Sequence, residues 1–112
     1  MIDNAFVIRQ GRTGAIEVDV TGVSDWTGIQ AKFSAMRKGD SVPTLLLDGT
    51  INTQTSVIMF YYTHDDTKDL VIGVYDFEAT IFLDDLQYVK DPIVGLLTVR
   101  PAIVINPTDS SI

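Results

Sequence analysis

The chain of 112 residues contains no cysteine and only one histidine, His64. The absence of thiols excludes disulfides, thiolate metal sites and cysteine nucleophiles. A single histidine also excludes the multi-histidine sites that hold catalytic zinc. We therefore expect no cofactor and no metal centre built from these residue types.

Basic residues are also scarce, with 8 Lys and Arg against 15 Asp and Glu, which gives a net charge of −7. An acidic surface repels phosphate backbones and anionic headgroups, so we expect no nucleic-acid partner and no membrane partner. The N-terminus lacks a basic region followed by an apolar run, and no apolar stretch approaches the roughly 20 residues of a spanning helix. These absences predict a protein made in the cytoplasm and not inserted in a membrane.

Apolar residues are plentiful: they make up 46% of the chain, and the mean hydropathy is +0.20. A chain of this length can bury enough surface for one core. We expect a single domain over residues 1–112, with a loose polar tail from about residue 106. Such a high hydropathy in a small chain also predicts that partner chains cover some apolar surface.

Alternation of apolar and polar residues is the main structural signal. It runs through residues 16–20, 29–35 and 75–81, as in strands with one wet face. Residues 57–62, 92–99 and 102–105 are apolar on both sides, which indicates a central strand or a covered outer face. With short turns between them, about seven strands predict an all-β fold, an immunoglobulin-like antiparallel β-sandwich. A small closed barrel is the alternative.

Two polar segments interrupt the strands with different chemistry. Asp48-Gly49 is typical of a tight hairpin turn. Residues 63–70 are polar, and Thr63 or Asp65 is able to cap a helix. We expect one helical turn near residues 63–70 that bridges strands in different sheets, and no other helix.

Acidic clusters are the candidate metal sites. Asp65, Asp66 and Asp69 with His64 could ligate a hard cation such as calcium, although their spacing does not match the EF-hand loop. Carboxylates in the first turn of a helix are also favoured by its dipole, and this reading is preferred. A second acidic group, Asp84, Asp85 and Asp91, is read as a solvated hairpin tip.

Catalytic motifs are weak. A Ser-His-Asp triad would have to use His64, and no G-x-S-x-G elbow is present. Among 15 acidic residues some pair always lies close enough for glycoside hydrolysis, so that signal has no weight. The turn at residues 11–14 is glycine-rich but lacks the ending of a phosphate loop. We expect a protein that is not an enzyme.

The candidate interface residues are aromatic and aliphatic. Trp26 is read first as an indole at the edge of the core, and alternatively as an interface anchor or part of a sugar-binding platform. Edge strands at residues 6–9 and 102–105 could pair with a neighbouring subunit, although pairing inside the domain is the default. The full set is Trp26, Met59, Tyr61, Phe6, Ile103 and Ile105.

Five segments match a known pattern in order along the chain. They are RQGRTG at 9–14, VSDWTGIQAKF at 23–33, THDDT at 63–67, GVYDFEA at 73–79 and GLLTV at 95–99. The second is similar to a "dlTG-x-x-x-x-F" element and the fourth to a "Gly-x-Tyr-x-Phe/Tyr" strand. The chain thus resembles the small immunoglobulin-like domains of tailed-bacteriophage structural proteins. The nearest are the N-terminal domain of baseplate upper proteins and related head or tail accessory domains.

The resemblance implies a structural component of the virion that acts through protein–protein contacts. Its implied partners are other virion proteins (capsid, collar, fibre or baseplate), and the chain is expected in many copies or as a homo-oligomer. Because no fibre or receptor-binding region follows residue 112, a head accessory such as a decoration, collar or fibre-attachment protein is favoured. The alternatives are a baseplate or tail-fibre attachment protein, or a carbohydrate- or receptor-binding module.

Overall fold

A computed structural model describes residues 4–83 and 92–101. Within them lie seven strands and one short helix. Their bounds are β1 (Asn4–Arg9), β2 (Gly14–Asp19), β3 (Ile29–Arg37), β4 (Leu45–Asn52), β5 (Val57–Tyr62), α1 (His64–Thr67), β6 (Gly73–Leu83) and β7 (Ile93–Arg100).

The strands pair in the order β1-β7-β6-β3-β4-β5-β2. The first half of β4 pairs with β3, and the second half pairs with β5. The chain therefore has a five-stranded sheet (β1, β7, β6, β3 and the start of β4) and a three-stranded sheet (the end of β4, β5 and β2). The predicted immunoglobulin-like sandwich of about seven strands is confirmed.

One strand pair differs from the antiparallel expectation. β1 runs parallel to β7, with Phe6 opposite Leu97 and Val7 opposite Thr98. Every other pairing among the described strands is antiparallel. Alternation shows which face of a strand is buried but not its direction, so the parallel pair was not visible in the sequence.

The bend of β4 from one sheet to the other is made at Gly49. A Cβ atom there would lie 2.8 Å from both Ala31 Cβ and Ile58 Cγ2. The prediction of a tight hairpin at Asp48-Gly49 is wrong, because this glycine serves close packing inside a strand. The turn between β4 and β5 lies at residues 53–56 instead, where the Ser56 N–H donates to the Asn52 carbonyl at 2.9 Å.

The centre of the core is aromatic. Phe33 of β3 is fully buried, with its ring centroid 5.0 Å from that of Phe77 and 5.5 Å from that of Phe60. Phe6 extends the group to β1, with its centroid 5.3 Å from Phe77. Antibody domains hold their two sheets with a disulfide and a tryptophan, whereas packed phenylalanines join them here.

The short helix is where the sequence placed it. α1 follows β5 of the three-stranded sheet and precedes β6 of the five-stranded sheet, so it bridges the two layers as predicted. None of the helical structure in the described part of the chain is long and apolar enough to cross a membrane. The predictions made for Asp84, Asp85, Asp91, Ile103, Ile105 and the tail lie outside the described residues.

Candidate protein-binding surface

The outer side of β7 is unusually apolar for a surface strand. Leu97 and Val99 point into the core and are completely buried. Val94 and Leu96 point the other way and are 47% and 48% exposed. This double-sided pattern is the one that the sequence indicated for residues 92–99, and the structure places its second side in solvent.

The neighbouring strands extend this surface. Val7 of β1 and Val74 of β6 are also exposed, at 57% and 55%. Both are paired with Thr98 of β7, Val7 on one side of that strand and Val74 on the other. We call Val7, Val74, Val94 and Leu96 the outer apolar face. A contiguous aliphatic group on a sheet surface is typical of an interaction site.

Charged side chains lie at the two ends of the outer apolar face. Asp76 and Glu78 point outward from β6, beside Leu96 and Val94 respectively. Neither carboxylate has an ion-pair or hydrogen-bond partner among the residues the structure describes. At the other end Arg9 of β1 is paired with Arg100 of β7, and Arg100 is exposed.

A groove of about 430 Å³ runs along the acidic part of this surface. Strand β6 lies between β3 and β7, so Asp76 lies between Met36 and Leu96, and Glu78 lies between Ser34 and Val94. The groove is lined by Ser34, Met36, Asp76, Glu78, Val94 and Leu96.

The residues predicted as an interface are not brought together. Met59 and Tyr61 point outward on β5 of the three-stranded sheet, and Tyr61 is 57% exposed. Phe6 is half-buried and packs against Phe77 in the core. An interface made by these residues remains a prediction.

Trp26 lies in the loop between β2 and β3, half-buried against the core. The Thr27 N–H donates to Asp25 Oδ1 at 3.0 Å, and the Ile29 N–H donates to the Trp26 carbonyl at 3.1 Å. The hydrogen bonds from Thr27 lower the pKa of Asp25 below its ordinary range. This placement agrees with the reading of Trp26 as an indole at the edge of the core.

The outer apolar face was not predicted from the sequence as a set of residues. The available signal was the run of apolar residues on both sides of β7. Val7 lies in β1, whose other residues are mostly apolar, and Val74 lies in β6, whose residues mostly alternate. Which of them share a surface depends on the register between strands far apart in sequence.

The acidic turn is held by its own helix cap. The Thr63 hydroxyl and the Asp66 carboxylate form a capping box, in which the Thr63 N–H donates to Asp66 Oδ2 at 2.7 Å. Asp65 pairs with Lys68 at 3.3 Å. Across residues 4–83 and 92–101, no group of three His, Asp or Glu side chains is arranged to hold a metal ion.

His64 and Thr67 fasten the same turn to the loop after β1. His64 Nδ1 lies 2.7 Å from the Gly11 carbonyl oxygen. The buried Thr67 hydroxyl donates to the Arg12 carbonyl at 2.9 Å. Among the described residues the imidazole thus contacts a backbone carbonyl, whereas in a catalytic triad it is hydrogen-bonded to a serine hydroxyl and to a carboxylate.

Comparison with known proteins gives the fold alone. No family model matches the chain, and no curated protein matches its sequence. Among solved structures it is similar to part of a protein described as "a putative glycoside hydrolase from Bacteroides vulgatus", with a TM-score of 0.53 and 9% identity. The match covers 87% of this chain and 16% of that protein. The chain therefore spans about a sixth of that protein, whose activity does not transfer at this identity.

Proposed function

We propose that this chain is a non-enzymatic assembly domain that binds other protein chains through the outer apolar face. Following its resemblance to phage structural domains, we assign it to the virion of a tailed bacteriophage as a head accessory. The observation that supports the proposal is the exposure of Val7, Val74, Val94 and Leu96 on one surface of the five-stranded sheet.

Burial of this surface supplies enough free energy to matter. A large aliphatic side chain gains roughly 1.5–3 kcal/mol when fully buried, so four half-exposed ones gain about 3–6 kcal/mol together. Association costs at least about 4 kcal/mol in lost translation and rotation. The outer apolar face therefore needs further contacts around it, and charged residues at both of its ends are placed to make them.

A direct test is co-sedimentation of the purified chain with purified phage heads and, separately, with tails. We expect binding to heads at a fixed stoichiometry. Leu96→Lys, in the outer apolar face, should abolish binding, whereas Thr50→Lys on the exposed surface of the three-stranded sheet should leave it unchanged. Binding to tails alone would move the assignment to a baseplate or tail-fibre attachment protein. Binding to neither, or equal loss in both variants, would refute the proposal.

A carbohydrate- or receptor-binding module is the second candidate. It is favoured by the exposure of Tyr61 and by the fold shared with part of a protein described as a putative glycoside hydrolase. Tyr61 pairs with Ala15 at the start of β2, whereas Trp26 lies beyond the opposite end of that strand, so the two rings do not form one stacking row. Titration with oligosaccharides, followed by NMR shifts of Tyr61, separates this candidate from the first.

A further inference from the structure

We propose that a second copy of this chain covers the outer apolar face in a two-fold dimer. In this dimer Asp76 of each copy forms an ion pair with Arg100 of the other. This inference names the partner of the surface described above and therefore rests on the proposed function. It comes from the order of charges along the strands of that surface.

The surface has an acidic end and a basic end. Along the outward side of β7 the residues are Val94, Leu96, Thr98 and Arg100. Asp76 of β6 lies at the level of Leu96, and Val74 lies at the level of Thr98. Asp76 and Arg100 are thus about 13 Å apart along the strands, with aliphatic residues between them.

A two-fold axis turns this order into complementarity. When the axis lies between two facing sheets, perpendicular to the strands and at the level of Thr98, it reverses the strand direction of the second copy. Asp76 of one copy then lies at the same height along the strands as Arg100 of the other copy, displaced sideways by one strand spacing of about 4.8 Å. Val7, Val74 and Thr98 face their own equivalents at the centre. This is the isologous arrangement of most homodimers.

The size of the surface agrees with such a dimer. From strand spacing and rise, the outward side of the five strands measures roughly 24 Å by 27 Å, or about 600 Å² per copy. Two copies then bury about 1,200 Å², at the lower limit of stable specific interfaces. The dimer is expected to be weak enough to exchange in solution.

The placement of charges on this surface favours a second copy of the chain, although the net charge does not. A net charge of −7 opposes self-association unless acidic groups meet basic ones. Two of the eight basic residues, Arg9 and Arg100, lie together at one end of the surface. The carboxylates of Asp76 and Glu78 at the other end have no cation among the described residues.

The test is sedimentation equilibrium of the isolated chain from about 1 µM to about 1 mM, a range that brackets a weak dimer. Wild type should show a monomer–dimer equilibrium. Asp76→Arg and Arg100→Glu should each raise the dimer dissociation constant at least tenfold. The double variant should restore it to within about threefold, since it has the wild-type net charge and the same pair reversed.

Matched variants control for net charge. Asp19→Arg on the three-stranded sheet and Lys68→Glu at the C-cap of α1 make the same charge changes at exposed positions away from the surface. They should shift dimerisation less than threefold. Thr98→Glu, which brings two carboxylates together at the axis, should abolish the dimer, and it provides a second readout should a reversal variant unfold.

Three results would overturn the inference: a monomer at every concentration, reversals no stronger than their controls, or a double variant that stays monomeric. A monomeric chain that still binds phage heads would sink the dimer but leave the proposed function standing. A dimer that binds neither heads nor tails would do the opposite.

Discussion

The Tyr75 hydroxyl donates a 2.6 Å hydrogen bond to the carbonyl of Val71, four residues earlier in the chain. Tyr75 is 1% exposed and stands near the start of β6, where the chain enters the five-stranded sheet from α1. A tyrosine in this position, bonded back to the preceding segment, is the tyrosine corner of immunoglobulin-like sandwiches. The bond links β6 to the segment in which the chain passes from one sheet to the other.

Tyr75→Phe should therefore destabilise the fold without changing its packing. The variant leaves the Val71 carbonyl without its donor, at a cost of about 1–2 kcal/mol. Urea unfolding of the variant and of wild type measures this difference. Tyr61→Phe, at an exposed position, serves as the control and should stay within about 0.5 kcal/mol. An equal effect of the two changes would remove the structural role given to the Tyr75 hydroxyl.

Stability should fall in alkaline solution. Burial raises the pKa of Tyr75, against a smaller lowering effect of the Arg37 cation, and burial also raises the pKa of Tyr62. The stabilisation is complete below the ordinary tyrosine pKa near 10 and is lost as the pH rises above it, because the unfolded chain releases these protons first. Unfolding free energies measured from pH 8 to pH 11 should decline above about pH 10. Tyr75→Phe should flatten this decline.

Gly49→Ala should be among the most damaging small changes. The added methyl group would meet Ala31, Ile58 and Phe60 at 2.8–2.9 Å, where β4 passes from one sheet to the other. Overpacking of this kind costs about 1–3 kcal/mol. Thr50→Val, at the next and exposed position, is the matched control. A thermal melt of Gly49→Ala that coincides with wild type would contradict the role of this glycine.

The acidic turn offers a test of its capping role. Asp66→Ala removes half of the capping box with Thr63 and should cost about 1 kcal/mol. Asp69→Ala removes a carboxylate from the same segment outside the cap, so it should cost less than about 0.5 kcal/mol. Stabilisation of wild type by added calcium that both variants lose would favour the cation site instead.

Much of the fold was predictable because burial on one face leaves a period-two pattern. β2 and β3 follow that pattern throughout, and β6 follows it as far as Ile81. The helical turn was predictable from the capping chemistry of Thr63. The parallel pairing of β1 with β7 and the bend at Gly49 were not, because both depend on contacts between strands far apart in sequence.

The candidate site was predictable only in part. The apolar outer side of β7 was visible in the alternation-free run that contains Val94 and Leu96. Its extension to Val7 and Val74 was not, since it is set by the register of three strands. Trp26 was selected for its side-chain type, and aromatic residues are as useful in a core as in an interface. Phe6 was selected as part of a candidate edge strand, and that strand pairs with β7 inside the domain.

Because the chain has no cysteine, a single introduced thiol reports directly on whether the outer apolar face becomes covered. Thr98→Cys places a thiol at its centre, and Thr50→Cys places one on the outer side of the three-stranded sheet. The most direct measurement compares the maleimide labelling rate of each variant in the dilute chain and in chain incorporated into phage heads. We expect incorporation to slow labelling at residue 98 at least tenfold and to leave the rate at residue 50 unchanged. An unchanged rate at residue 98 in the incorporated chain would contradict it.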